Sequence, residues 1–91
     1  MVKVRVPHDI KAVGGPSVLE VKAANLGEVI VQLDRTIPGI RALLCDKAGE
    51  IYSNTYDFFV NGSSTHPSSI KTPVKDGDEV IVVPLEEYQH A

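Results

Sequence analysis

The feature that most constrains the fold is an uninterrupted apolar run near the end of the chain, Val80 to Val83. The residues before it, Asp76 to Asp78, are typical of a turn, and Pro84 after it cannot donate a ladder hydrogen bond. The run therefore has the length and boundaries of one strand, from Glu79 to Val83. Because four consecutive side chains are apolar, we expect both faces of the strand to be covered, which places it in the middle of a sheet.

The first strand shows a different pattern. Residues 2 to 6 read Val-Lys-Val-Arg-Val, an alternation of apolar and charged side chains that predicts one buried face and one exposed face. Gly14-Gly15-Pro16 predicts a turn, after which Ser17 to Val21 returns as the second arm of a hairpin. The first and last strands are natural neighbours and would run parallel, because the long segment between them supplies the crossover that parallel pairing requires.

A helix is predicted to begin after Asn25, with Glu28 three residues later completing a capping pattern. Pro38-Gly39 ends it, since proline disfavours helical geometry in the residue before it. The apolar residues between these limits form one stripe at 3.6 residues per turn and predict the buried face of the helix: Leu26, Val29, Ile30, Leu33 and Ile37.

The rest of the chain predicts smaller elements. Residues 40 to 55 are typical of a short helical turn followed by a loop or a weak edge strand. Tyr56 to Val60 predicts a third strand, closed by a tight turn at Asn61-Gly62, and Ser63 to Ser69 has the composition of a loop. The expected fold class is α+β, a β-grasp (ubiquitin-like) domain over residues 1 to 84. It has a mixed four- to five-stranded sheet with one main helix on one face, and residues 85 to 91 form a C-terminal tail.

Composition and charge limit the class of protein and the kinds of partner that this sequence allows. A chain of 91 residues with 43% apolar and 23% charged residues is of the size and balance of one folded domain. It has no apolar run of the ~18 residues that a membrane span needs, and no signal-peptide pattern at its start, so we expect a cytoplasmic protein without a membrane partner. The formal charge of -3 makes nucleic acid an unfavourable partner.

Residues that could carry chemistry are few. Cys45 alone cannot form an internal disulfide or a multi-thiolate metal site, and beside Leu43-Leu44 it is typical of a small core residue. The acids Asp76, Asp78 and Glu79 could bind a cation, but a turn before a strand uses such residues without one. The histidines have no ligand partner at suitable spacing and are interpreted as surface residues: His8, His66 and His90. We therefore predict no catalytic residue, no metal and no cofactor.

One helix covers only one face of such a sheet, so apolar side chains on the other face need a different cover. Successive side chains of a strand point to opposite faces of the sheet. In the third strand Phe59 therefore points away from Phe58, and in the last strand Ile81 and Val83 point away from their neighbours. A contiguous patch of this kind often marks a partner surface. The candidate partner-binding residues are Phe59, Ile81, Val83 and Pro84. Two alternatives stay open: the loop from Ser63 to Thr72 covers this patch, or a homodimer forms through it.

Several motifs together resemble the MoaD and ThiS family of ubiquitin-like sulfur carriers. That family comprises the molybdopterin synthase small subunit, the thiamine sulfur carrier and their archaeal modifier relatives. The resemblance lies in Phe59-Val60-Asn61-Gly62, in Val74 to Pro84 with its Asp-Gly-Asp turn, and in Ile37-Pro38-Gly39-Ile40 and Leu43-Leu44 after the helix. It implies a protein without catalytic activity that docks to a protein partner, either an adenylating (activating) enzyme or a molybdopterin synthase large subunit.

The family's chemistry belongs to a C-terminal Gly-Gly, whose carboxylate is adenylated and converted to a thiocarboxylate. This chain has no Gly-Gly in its tail, which reads Leu85, Glu86, Glu87, Tyr88, Gln89, His90 and Ala91. The first hypothesis is a binding or regulatory subunit that has lost the reactive tail. The alternative is a sulfur carrier for molybdopterin or thiamine synthesis, or a protein modifier, that is activated at its C-terminus. A third hypothesis is an RNA-binding β-grasp module, for which Lys3 and Arg5 on the first strand are the best evidence.

Overall fold

The structure is a computed structural model that describes residues 1–6, 18–52 and 54–85. Within these residues five strands form one mixed sheet in the order β2-β1-β5-β3-β4. The helices and strands, in chain order, are β1 (Val2–Arg5), β2 (Val18–Val21), α1 (Leu26–Thr36), α2 (Ile40–Leu44), β3 (Tyr56–Val60), β4 (Ser63–Ser64) and β5 (Glu79–Pro84). The predicted β-grasp architecture is confirmed, while the predicted turn at Gly14-Gly15-Pro16 lies outside the described residues.

β5 lies in the middle of the sheet, as the apolar run predicts. It pairs parallel with β1, where Val4 is opposite Val80, and antiparallel with β3, where Phe58 is opposite Val82. Val80 is 0% and Val82 1% exposed, because α1 packs on their side of the sheet. On the other face, which the helix does not cover, Ile81 and Val83 are half-buried.

Helix α1 begins and ends where the sequence predicts. The side-chain oxygen of Asn25 accepts a hydrogen bond from the Glu28 N–H at 2.8 Å, and the Glu28 carboxylate accepts one from the Ala24 N–H at 2.8 Å. The first bond satisfies a backbone donor that a helix start leaves free, and the second fastens the residue before the N-cap to the first turn. The apolar stripe that the spacing predicts is buried in full against the sheet: Leu26, Val29, Ile30, Leu33 and Ile37.

The region from residue 40 to 55 contains the predicted helical turn, α2. After it the chain reverses at Asp46, whose carboxylate accepts hydrogen bonds from the Ala48 and Glu50 N–H groups at 2.8 and 3.0 Å. Of the two predicted alternatives, a loop or a weak edge strand, the described residues of this region form a loop with an isolated bridge between Cys45 and Ile51.

The predicted tight turn after β3 is present and leads directly into a short strand. Asn61 and Gly62 have φ values of 52° and 86°, the left-handed pair that a two-residue hairpin needs. The chain therefore returns at once along β3, and Ser63 and Ser64 form β4 opposite Val60 and Phe59. The prediction of a loop was wrong for these two residues.

Pro84 was expected to stop the last strand but is its final residue, opposite Tyr56 on β3. Along a strand, the backbone N–H and C=O groups of successive residues point in turn to one neighbouring strand and then to the other. The Lys3 N–H donates to the Asp78 oxygen at 3.0 Å, so in β5 the backbone groups of every second residue from Asp78 point toward β1. By this count the nitrogen of Pro84 points toward the side of β1, and β1 ends at Arg5, opposite Ile81. The missing N–H of Pro84 therefore removes no ladder hydrogen bond.

The turn before β5 is fastened to the turn after β3. The Asp78 carboxylate accepts hydrogen bonds from the Asn61 side-chain amide at 2.9 Å and from the Lys75 N–H at 3.0 Å, while the Glu79 N–H donates to the Asn61 side-chain oxygen at 2.9 Å. Asp78 is 7% exposed, and these bonds lower the pKa of its carboxyl group from 3.8, the Asn61 bond most of all. The two turns at this end of the sheet thus depend on an ionised Asp78.

Replacing Asn25 by Ala removes the side-chain acceptor at the start of α1, so we expect the free energy of unfolding to fall by about 1 kcal/mol. Urea denaturation of the wild type and the variant measures this. Asn54→Ala is the matched control, because Asn54 is an exposed turn residue outside any helix. Equal destabilisation by the two substitutions would contradict the capping role.

A carboxyl group whose pKa is lowered by folding stabilises the protein above its unfolded pKa and loses that contribution as the pH falls through its folded pKa. The free energy of unfolding should therefore decline below about pH 4. In Asp78→Asn it should be lower at neutral pH and decline less steeply in acid. Asp76 and Glu79 also have lowered pKa values, so part of the acid dependence should remain. Urea titrations from neutral to acid pH measure both slopes, and identical slopes would contradict the account.

Candidate functional site

The candidate site is the face of the sheet opposite α1, here named the open face. Strand register shows which side chains share it, because residues directly opposite each other point to the same side. Ile81 lies opposite Phe59 on one neighbour and opposite Arg5 on the other, and Arg5 in turn lies opposite Val18. The face therefore runs across all five strands and carries Lys3, Arg5, Val18, Glu20, Asp57, Phe59, Ser64, Glu79, Ile81 and Val83.

One half of the open face is apolar. Phe59 and Ile81 are direct cross-strand neighbours, and Val83 follows two residues along β5, opposite Asp57. All three apolar side chains are half-buried, so part of each reaches solvent. We name these three residues the docking patch. The structure brings together three of the four predicted partner-binding residues but not Pro84. That residue lies opposite Tyr56, whose side chain packs against the core on the helix side.

The other half of the open face carries charges of both signs. The Arg5 guanidinium contacts the Glu79 carboxylate at 2.8 Å, and this bond lowers the pKa of the Glu79 carboxyl group. Lys3 lies between Glu20 and Glu79 in the register. Acids therefore offset both cations on which the RNA-binding hypothesis depends, and a positive stripe that could follow a phosphate backbone does not form from them.

The loop after β4 runs along the outer edge of β3 and then to the start of α1. The Phe58 N–H donates to the Ser68 hydroxyl at 3.2 Å, and the Phe58 oxygen accepts from the Thr65 N–H at 3.1 Å. Further along, the Ile70 oxygen accepts from the Gly27 N–H at 2.9 Å. These contacts place the loop along the outer edge of β3 and at the start of α1.

Asp57 is the residue of this region that the sequence analysis missed. It is 4% exposed, and its carboxylate accepts hydrogen bonds from the Ser64 hydroxyl at 2.5 Å and the Ser68 hydroxyl at 3.3 Å. It therefore ties β4 and the loop to β3 beside the docking patch. An acidic residue inside an otherwise apolar strand, followed by a serine-rich loop, was the signal that could have found it.

The start of the C-terminal tail lies at the end of β5. The Leu85 N–H donates to the Thr55 oxygen at 2.9 Å, so the chain is held to the sheet up to that residue. The rest of the tail, Glu86 to Ala91, lies outside the described residues. Because Ile81 and Val83 lie on the same strand, a partner that contacts the docking patch meets the chain a few residues before its tail.

The other candidates have structural roles or lie apart. Cys45 is 5% exposed, and burial raises the pKa of its thiol, which confirms it as a core residue. His66 is exposed in the loop after β4, whereas His8 and His90 lie outside the described residues. Among the described residues no group of three histidine, cysteine or acidic side chains is placed to hold a metal ion.

The three acidic residues in and directly after the turn before β5 have separate partners. Asp76 pairs with the N-terminal ammonium group at 2.9 Å, Asp78 with Asn61, and Glu79 with Arg5. They do not converge on a common point that a cation could occupy. Neither helix in the described part of the chain is long and apolar enough to cross a membrane.

Comparison with known proteins gives structural matches only. Neither a protein-family model nor a curated protein matches the sequence, whereas 16 solved chains match the structure. A chain of the BexX/CysO complex of Amycolatopsis orientalis is 27% identical, with a TM-score of 0.81, and the match covers 92% of this chain and 94% of that one. CysO of Mycobacterium tuberculosis is 26% identical, with a TM-score of 0.79, and the match covers 92% of this chain and 98% of that one.

A more distant match is a chain of the complex between subunits 1 and 2 of the molybdopterin-converting factor from Helicobacter pylori. It is 23% identical, with a TM-score of 0.57, and the match covers 91% of this chain and 90% of that one. This similarity concerns the fold. Together, the order of the strands, the single main helix and these neighbours show that the chain has the ubiquitin-like β-grasp fold of the MoaD and ThiS carriers and their modifier relatives.

Proposed function

We propose that this protein is a ubiquitin-like carrier of the MoaD/ThiS type, which docks to partner proteins through the docking patch and is activated at its C-terminus by an adenylating enzyme. The observation that carries the proposal is the similarity over almost the whole chain to CysO in its complex with BexX. The similarity in fold to a chain of the two-subunit molybdopterin-converting factor complex agrees with it. In this role the protein acts in the cytoplasm and has no active site of its own.

The geometry of the open face supports docking. Side chains of mixed exposure on a rigid sheet form a surface whose shape is fixed before a partner arrives, which lowers the entropic cost of association. The docking patch combines an aromatic side chain, Phe59, with two aliphatic ones, and the Arg5–Glu79 pair borders it. An apolar centre with a polar border is the usual anatomy of a protein interface.

The chemistry of a carrier of this type takes place at its C-terminal carboxylate. The carboxylate attacks the α-phosphorus of ATP, pyrophosphate leaves, and the product is an acyl adenylate. A sulfur donor then displaces AMP and leaves a thiocarboxylate, or an amine displaces AMP and leaves an amide. The carrier contributes the carboxylate and the docking surface, while the activating enzyme contributes the catalytic groups.

A second candidate function is that of a binding or regulatory subunit that uses the same docking patch without any reaction at the tail. It is favoured by the composition of residues 85 to 91, which contain no glycine. Glycine suits a tail that threads a narrow channel because it has no Cβ atom. The two candidates differ only in what the tail does, so one experiment separates them.

Incubation with an adenylating enzyme of the MoaD/ThiS type, ATP and a sulfide donor, followed by intact-mass spectrometry, tests the carrier function. We expect a mass increase equal to an adenylate, or a replacement of one oxygen by sulfur. Omission of ATP is the control and should abolish both species. A mass that stays unchanged with enzymes for several carriers would contradict the carrier function and favour the binding subunit.

A further inference from the structure

The two edges of the sheet differ in how their backbone groups are used. At one edge β4 is only two residues long. Beyond it the Phe58 oxygen accepts a hydrogen bond from the Thr65 N–H, and the Phe58 N–H donates to the Ser68 hydroxyl. At the other edge lies β2, Val18 to Val21, which pairs with β1 on one side. An edge strand of this length can add a further strand, because its outward N–H and C=O groups lack partners.

The direction of the backbone groups of β2 follows from one hydrogen bond. The Lys3 N–H donates to the Asp78 oxygen at 3.0 Å, so Lys3 turns its backbone groups toward β5, and its neighbours Val2 and Val4 turn theirs toward β2. The partners of Val2 and Val4 are Val21 and Leu19. The groups of Val18 and Glu20 therefore point out of the sheet, and within the described part of the chain none of them has a hydrogen-bond partner.

We propose that the β2 edge is a self-association surface, on which two copies of this chain pair antiparallel through β2 to form one continuous sheet. Antiparallel pairing of identical edges has two-fold symmetry, which closes the assembly at a dimer. Glu20 has an exposed side chain, and so has Lys22, the residue that follows β2. With the strand extended by one residue to Lys22, the edge presents one acid and one base to its copy.

These two charges select the register. For hydrogen bonds to form between the two copies, residues whose backbone groups point out of the sheet must lie opposite each other. A two-fold axis at Leu19, Glu20 or Val21 meets this condition. An axis at Glu20 sets two carboxylates side by side, and an axis at Leu19 sets Glu20 against an apolar side chain. An axis at Val21 sets Glu20 opposite Lys22 twice, once on each side of the axis, which is the favourable cross-strand combination.

Pairing stops where the chain leaves the edge. At Ala24 both backbone groups are already used, since its N–H donates to Glu28 at 2.8 Å and its oxygen accepts from the Val74 N–H at 3.0 Å. The dimer contact is therefore short, with four backbone hydrogen bonds and two ion pairs, so we expect association that depends on protein concentration. The docking patch on β3 and β5 stays free, because β1 lies between it and the β2 edge.

Sedimentation velocity over a range of concentrations, with charge-reversal variants, tests the proposal. Glu20→Lys and Lys22→Glu each turn both ion pairs into like-charge pairs, so each should weaken the dimer about tenfold. The double variant restores opposite charges and should dimerise like the wild type. An equimolar mixture of the two single variants should form a heterodimer, because each supplies the charges that the other lacks. The double variant keeps the test decisive if one single variant does not fold.

Lys47→Glu is the matched control. Lys47 is an exposed residue in the turn after α2, so the change of its charge should leave the dimer unchanged. Amide hydrogen exchange gives a second readout: the Glu20 N–H should exchange more slowly at high protein concentration than at low, while the exposed Lys47 N–H should not change. A protein that stays monomeric at the concentrations of an NMR sample would overturn the proposal. So would a dimer that is insensitive to both charge reversals.

Discussion

The structure depends on the parallel pairing of its first and last strands. β1 and β5 are separated by more than seventy residues in sequence, yet Val4 lies directly opposite Val80, and both are 0% exposed. Such a pair cannot form locally, because the intervening chain must first supply a crossover that brings the two strands side by side. Helix α1 lies within that crossover and buries its apolar stripe on the strands it connects. The hydrophobic core is thus a consequence of the pairing as much as its cause.

The same constraint determines which side chains of β5 lie on the open face. With β5 in the centre and one helix on one side, the side chains of β5 divide between a dry face and a face that reaches solvent. Val80 and Val82 belong to the first, Ile81 and Val83 to the second. Because β5 is also the last strand, the docking patch and the start of the tail share one rigid element. A partner that binds the patch is therefore placed near the chain end without any conformational change in the sheet.

Much of this was accessible from the sequence, and the reasons are local. The alternation in β1, the Asn25 cap and the Asn61-Gly62 turn each follow from chemistry within a few residues, and each was confirmed. The errors concern features that depend on distant neighbours. The sequence could not show whether the loop after β4 would cover Ile81 and Val83, because the path of that loop depends on its contacts with β3 and α1. Nor could it show that Asp57 would be buried, since its hydroxyl partners come from a loop whose path was unknown.

The docking patch is the central claim, and it is tested most directly by calorimetry of two matched variants with an adenylating enzyme of the MoaD/ThiS type, the partner proposed above. Ile81→Lys places a charge within the patch, whereas Val31→Lys places the same charge at an apolar position on α1 that is 38% exposed. The account predicts that Ile81→Lys weakens binding at least about tenfold while Val31→Lys leaves it unchanged, with both variants folded by circular dichroism. Loss of binding in Val31→Lys with normal binding in Ile81→Lys would contradict it and would place the interface on the helix side.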